Sequence, residues 1–326
     1  MRRSQRSMTR RQFIRTTAGI GLSFAVLPPA LKAVSDAPIP RRVLGRTGRE
    51  VTILGLGTAP IGEGPVETDE AERIFAAVLD RGVNYVDTAR IYGNAEEALG
   101  RIVPARREDL FLVTKIWSES AADAAKSLEQ SLRMLKTDHV DLVHIHHIGG
   151  KDVERVQAED GILPYLLKQK DAGKLKYIGM TGHARPPRFL QMLETGKIDV
   201  VMCVMNYADR NTYNFEETVL PECRKQNVGV VAMKAYAGIK GGFPNHRSGF
   251  VGCATPAELL PRAMAYALDL EGVSSAIIGP YTMAQAMQNI DFALQYQPLT
   301  PDQRSELLAF GVQLAEQMGP RYGPVA

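Results

Sequence analysis

Phe111-Leu112-Val113-Thr114-Lys115-Ile116, then Ala121–Leu135, then Val140-Asp141-Leu142-Val143-His144-Ile145 form the stretch that decides the fold. Both short runs are rich in β-branched and apolar residues and have strand length. The span between them repeats its apolar positions at helical spacing. Strand, helix and second strand in succession make a parallel crossover unit. The alternation extends in both directions. Further strands are expected at Val51–Gly57, Tyr85–Thr88, Tyr177–Met180, Val200–Met205, Gly229–Met233 and Ala276–Ile278. Helical patterns fall at Asp69–Asp80, Ile162–Asp171, Arg188–Glu194, Glu216–Gln226, Pro256–Leu268 and Met283–Gln295. Eight strands with intervening helices over about 250 residues predict an α/β fold, a (β/α)8 barrel. The competing architecture is a doubly wound sheet with a second domain. It calls for a linker or composition break near the middle, and the sequence has neither. Gly55-Leu56-Gly57-Thr58-Ala59-Pro60 starts like a dinucleotide fingerprint, but Pro60 stands where the third glycine belongs.

Length and composition agree with one large soluble domain. The chain has 326 residues, 45% hydrophobic and 23% charged, which excludes a disordered, collagen-like or disulfide-scaffold protein. Formal charge is +3, but it is unevenly spread. Residues 1–37 hold seven basic residues against Asp36, a net +6, which leaves −3 on the remaining 289. A mildly acidic body gives no electrostatic basis for nucleic-acid binding. Three widely spaced cysteines, Cys203, Cys223 and Cys253, suggest neither a disulfide framework nor a cluster site.

The basic leader reads as an address. Thr9-Arg10-Arg11-Gln12-Phe13-Ile14-Arg15 resembles the twin-arginine export signal, followed by an uncharged stretch from Thr16 to Leu31. That stretch is too short and too proline-broken for a permanent membrane span. The resemblance implies a partner in the twin-arginine machinery and a periplasmic or exported protein. The location is cytoplasmic if the leader does not function. The expected division is a signal peptide over 1–37 and a barrel over 38–326.

A barrel directs attention to the C-terminal ends of its strands. Polar residues there are Asp87, Tyr92, Lys115, His146, Thr181, His183, Asn206 and Lys234. Asp87 ends the second strand, in Asp87-Thr88-Ala89-Arg90-Ile91-Tyr92-Gly93. Lys115 ends the third, and His146 follows the fourth. An ammonium near a phenol stabilises phenolate and lowers its pKa toward that of a proton donor. A buried aspartate keeps such a lysine charged, and an imidazole can hydrogen-bond the same substrate oxygen.

At these four positions the sequence resembles the aldo-keto reductase superfamily. The likeness begins at Arg42-Val43-Leu44-Gly45-Arg46-Thr47-Gly48, similar to that family's N-terminal β-hairpin, and runs to about Asn289. It implies a catalytic tetrad in which Tyr92 is the general acid, Lys115 activates it, Asp87 pairs with Lys115, and His146 orients the carbonyl. The implied reaction is NAD(P)H-dependent reduction of a small aldehyde or ketone to an alcohol. Cofactor contacts are implied at Thr58, Thr181, Met233, Lys234, Gly279, Tyr281, Gln285, Gln288 and Asn289. The segment from Ile278 to Asn289 is similar to the family's nucleotide loop, where a helix start can offer N–H groups to phosphate. NADP(H) is expected over NAD(H), with Lys240 or Arg247 in the Gly238–Gly249 loop as candidates for a 2′-phosphate. No resident metal is expected.

Several positions depart from the family's pattern. Thr181-Gly182 replaces Ser-Asn, Met202 replaces glutamine, and Gln288 replaces glutamate before Asn289. Met233 stands where an aromatic residue usually stacks on nicotinamide, and a thioether can pack against a ring. The mouth is expected to be mostly apolar, with Trp117, His147, Tyr207 and Tyr236 as walls. Two alternatives stay open. One is a nicotinamide-binding, redox-sensing subunit without turnover. The other is a metal-dependent hydrolase, suggested by His144 and His146 two apart on one strand face.

Overall fold

The computed structural model describes residues 37–240 and 252–326. The leader through Asp36 and the candidate Arg247 lie outside the described residues. The compact unit spans Ala37–Ala326.

The unit opens with an antiparallel hairpin, β1 (Arg41–Val43) against β2 (Glu50–Thr52). Gly48 turns the hairpin at φ +66, a conformation that favours glycine. The hairpin closes the barrel floor: Leu44 is fully buried, and a Cβ on Gly229 would meet its side chain at 2.8 Å.

Eight parallel strands follow: β3 (Leu54–Gly57), β4 (Tyr85–Asp87), β5 (Phe111–Ile116), β6 (Val140–Ile145), β7 (Leu175–Gly182), β8 (Val200–Val204), β9 (Gly229–Met233) and β10 (Val273–Ile278). They close in sequence order, with β10 pairing β3. The expected barrel is therefore the observed one. Three local expectations differ. Val51–Gly57 is two strands rather than one, because the Asn84 side chain takes the Thr52 N–H at 2.8 Å and the chain turns at Ile53 before β3. The helix expected over Glu216–Gln226 breaks into Phe215–Thr218 and Leu220–Lys225, where Pro221 cannot donate to the preceding turn. A last helix, Pro301–Met318, has no counterpart among the sequence expectations. A reciprocal capping box of Thr300 and Gln303 starts it, with Pro301 in the first turn.

Register decides what faces inward. In parallel pairing, partnered residues share a face and i, i+2 residues repeat it. Asp87 pairs with Val113, and Lys115 pairs with His144, which pairs with Gly179. All of these point into the barrel. Tyr85, Phe111 and Tyr177 fill the lower interior with ring centroids 5.2 and 6.0 Å apart. Gly55 makes room for them, since a Cβ there would sit 2.2 Å from Ile277 and 3.3 Å from Tyr85. Packing the lower barrel this densely lifts the polar inward residues to the upper rim.

Candidate active site

Asp87 is the last residue of β4, and Lys115 is the penultimate residue of β5. Both are buried. Lys115 Nζ donates to Asp87 Oδ2 at 2.5 Å and to the Thr88 carbonyl at 3.0 Å. Burial pushes Asp87 up and Lys115 down, toward their neutral forms, while each partner's charge opposes that drift. Gly57 pairs with Asp87 in the neighbouring strand, and a Cβ there would sit 3.0 Å from Ile277 and 3.2 Å from Gly279 N.

Tyr92 lies in the loop after β4, and its ring covers the lysine: Nζ is 4.6 Å from the ring centroid. His146, just beyond β6, meets that ring edge-on at 5.8 Å. Burial and the charges of Asp87 and Glu63 hold the Tyr92 phenol above its ordinary range. The net depression expected from Lys115 is not seen, because burial and these two carboxylates outweigh an ammonium placed against the ring face. A firmly protonated phenol suits a proton donor in reduction. Burial first, and the Lys115 charge second, hold His146 well below the usual histidine range. It is a neutral imidazole with Nδ1 unpartnered.

Asp87, Tyr92 and His146 open onto a cavity of about 950 Å³ that is lined by most of the expected cofactor positions: Thr181, Met233, Lys234, Gly279, Tyr281, Gln285, Gln288 and Asn289. Thr58 is the exception. It is fully buried, and its hydroxyl donates to the Asp87 carbonyl at 3.0 Å, so it fixes the strand end rather than facing the cavity. The Thr181 hydroxyl reaches the Met233 sulfur at 4.0 Å. Lys234 has φ +59, and Asn206 Nδ2 pins its carbonyl at 3.0 Å. Burial lowers the Lys234 ammonium to about 8, against the favourable charge of Glu63.

The far wall is the helix Met283–Leu294, capped by the Thr282 hydroxyl. Tyr281 N–H donates to Gln285 Oε1 at 2.8 Å, and Tyr236 Oη donates to Asn289 Oδ1 at 2.8 Å. The Tyr281 hydroxyl is buried without a partner. An orphan hydroxyl beside three amide side chains and a helix start fits the sugar and phosphate oxygens of a dinucleotide.

Trp117, His147 and Tyr236 line the cavity as expected. Tyr207 does not: it is buried in the core with its hydroxyl 2.8 Å from Thr255 Oγ1. The cavity is mostly apolar, as expected, with three imidazoles and a guanidinium among the side chains that border it. Glu63, Arg321 and Tyr322 are cavity residues that the sequence reading missed. Arg321 and Tyr322 follow the last helix, and no motif marks them. Arg321 Nη2 lies 3.0 Å from the buried carboxylate of Asp209, and the Tyr322 N–H donates to Tyr213 Oη at 2.7 Å. Those contacts dock the C-terminal segment onto the rim.

Comparisons with known proteins identify the family and the fold. A model of the Aldo/keto reductase family matches residues 53–247. An L-galactose dehydrogenase of Arabidopsis thaliana is 27% identical over 294 residues, 81% of this chain and 91% of that protein. An uncharacterized oxidoreductase of Bacillus subtilis is 30% identical over 300 residues, 76% of this chain and 89% of its own length. Among solved structures, an aldo-keto reductase from Bacillus halodurans superimposes with a TM-score of 0.68 at 24% identity, covering 83% and 96% of the two chains. That likeness speaks to the fold.

Proposed function

Because the chain belongs to the aldo/keto reductase family, we propose that it interconverts an aldehyde or ketone and its alcohol with NAD(P)(H), Tyr92 acting as general acid. The observation that carries the reading is the convergence of Asp87, Tyr92 and His146 on one cavity, with Lys115 buried behind them against Asp87 and the Tyr92 ring. Tyr92 holds the proton destined for the carbonyl oxygen. Lys115 beneath its ring stabilises the phenolate left behind, and Asp87 keeps that ammonium in place. Neutral His146 donates a hydrogen bond that orients the same oxygen.

When bound, the nicotinamide supplies the hydride. Thr181 and Met233 are the residues proposed to hold the nicotinamide, with the Met233 thioether as the surface for the ring, and Gln285, Gln288 and Asn289 those proposed to hold the rest of the dinucleotide. We assign NADP(H) over NAD(H), with Lys240, which follows cavity-lining Ile239, as the candidate for a 2′-phosphate. The leader is proposed to send the folded protein through the twin-arginine route.

The hydrolase alternative lacks a ligand set: among the described residues, no three His, Cys, Asp or Glu side chains are grouped to hold a metal. A binding subunit without turnover is the remaining alternative. Loss of reduced-nicotinamide absorbance on mixing with a panel of aldehydes and ketones tests the proposal. Tight cofactor binding with no turnover of any carbonyl would replace it with the binding subunit.

A further inference from the structure

Glu96 is a buried charge to which the proposed reaction gives no part. It sits on the short helix Ala95–Leu99, directly after the loop that carries Tyr92, and its side chain is fully enclosed. Enclosing a carboxylate is costly unless its charge and its lone pairs are answered. Here both are. Glu96 Oε2 pairs with the Arg90 guanidinium, and Oε1 accepts from the Thr114 hydroxyl at 2.8 Å. None of these three residues lines the cavity.

The two partners belong to the two segments that must meet in the site. Thr114 immediately precedes Lys115 in β5 and takes the opposite face of the strand. Arg90 lies in the loop between Asp87 and Tyr92, with Nη2 3.5 Å from the Gly93 carbonyl oxygen. Glu96 thus ties the loop of the phenol to the strand of the ammonium. The same loop is also gripped by backbone: a Cβ on Gly62 would collide with the Tyr92 carbonyl oxygen, and one on Gly93, at φ +46, with that of Gly62. The carboxylate acts through its charge as well. Burial pushes Lys115 toward the neutral amine, and the charge of Asp87 first, then those of Glu96 and Glu63, oppose it.

We infer that Glu96 is a positioning residue for the proton donor: through Arg90 it holds the Asp87–Tyr92 loop against β5, so that the Tyr92 ring stays over Lys115. The inference rests on the reductase reading. Tyr92 is carried by a loop rather than a strand, and a reacting group misplaced by about 1 Å costs on the order of 100-fold in rate.

Glu96→Gln alone strands the Arg90 charge, and Arg90→Met alone strands the carboxylate, so each single variant should lower the thermal midpoint. The double variant removes both charges and should recover most of that loss, since replacing a whole pair by uncharged groups is often neutral. Its kcat should nonetheless stay down by about tenfold or more, with KM within about twofold of the parent's. Hydrogen exchange of the amides of residues 88–94 should be faster in the double variant, with the barrel strands unchanged. Thr114→Val keeps a β-branched strand residue, removes only the hydroxyl, and should lower kcat in the same direction at constant KM. A double variant with parental kcat overturns the inference and leaves the reductase standing. Should the double variant not fold, parental kcat in Thr114→Val overturns it instead. If the parent turns over no carbonyl, the reductase reading fails, and parental exchange over residues 88–94 in the double variant then overturns the inference as well.

Discussion

Lys115 Nζ lies 2.5 Å from Asp87 Oδ2 and 4.6 Å from the centre of the Tyr92 ring. One ammonium is thus clamped by a carboxylate below and roofed by a phenol above. The pair is buried, so breaking it strands a charge in a medium that solvates charge poorly. The arrangement couples fold stability to the proposed proton donor.

Lys115→Met should therefore cost stability and activity together. Removing one partner of a buried pair costs about 3–5 kcal/mol, visible as a lowered thermal midpoint. Turnover should drop by at least about 100-fold. A variant as stable and as active as the parent would separate the pair from both roles.

Tyr92→Phe removes one hydroxyl from a half-buried ring and leaves the cation–ring contact. Turnover should fall by at least about 100-fold, with cofactor affinity, read by fluorescence titration, nearly unchanged. Retained turnover would move the general acid to another group.

Acid should destabilise the protein through its buried imidazoles. His144, His146 and His183 are held neutral, each well below the usual histidine range, chiefly by burial. The unfolded chain binds protons at these sites from about pH 6.5 downward, and the folded chain does so only at much lower pH. Stability from these groups is intact above pH 6.5 and is lost as pH falls below it, by about 1.4 kcal/mol per pH unit for each histidine. Urea midpoints at pH 7 and pH 5.5 measure the slope, and His144→Leu should reduce it. A flat profile would show that the folded rings take up protons freely.

Arg321→Ala should loosen the C-terminal wall. Asp209, 2% exposed, would keep its bond from Asn206 Nδ2 at 2.7 Å but lose the guanidinium. KM should rise more than kcat falls, since Arg321 borders the cavity mouth and touches no tetrad residue. A change confined to kcat would place Arg321 in the chemistry instead.

Arg10→Lys with Arg11→Lys should hold the protein in the cytoplasm with its reductase activity intact. Fractionation of cells expressing the parent and the double variant reads this directly. Equal distribution of the two would leave the leader without its proposed role.

Much of this molecule is written in local pattern. Short β-branched, apolar runs and helical spacing recur from Val51 to Gln295, and a barrel follows because parallel strands must bury both faces. The proposed tetrad is legible for the same reason, because Asp87, Lys115 and His146 fall at successive strand ends, where register turns them to one rim. The candidate cofactor positions in Ile278–Asn289 are legible as one continuous segment, and all of them line the cavity. Tertiary structure decided what depends on distance between remote segments. It set Thr58 against the Asp87 carbonyl instead of the cavity, laid Lys115 under the Tyr92 ring instead of at its hydroxyl, and brought Arg321 and Tyr322 across the mouth from beyond the last helix. Sequence periodicity encodes which face a residue takes. Only closure of the barrel and docking of its tail fix which atoms on that face come within bonding distance.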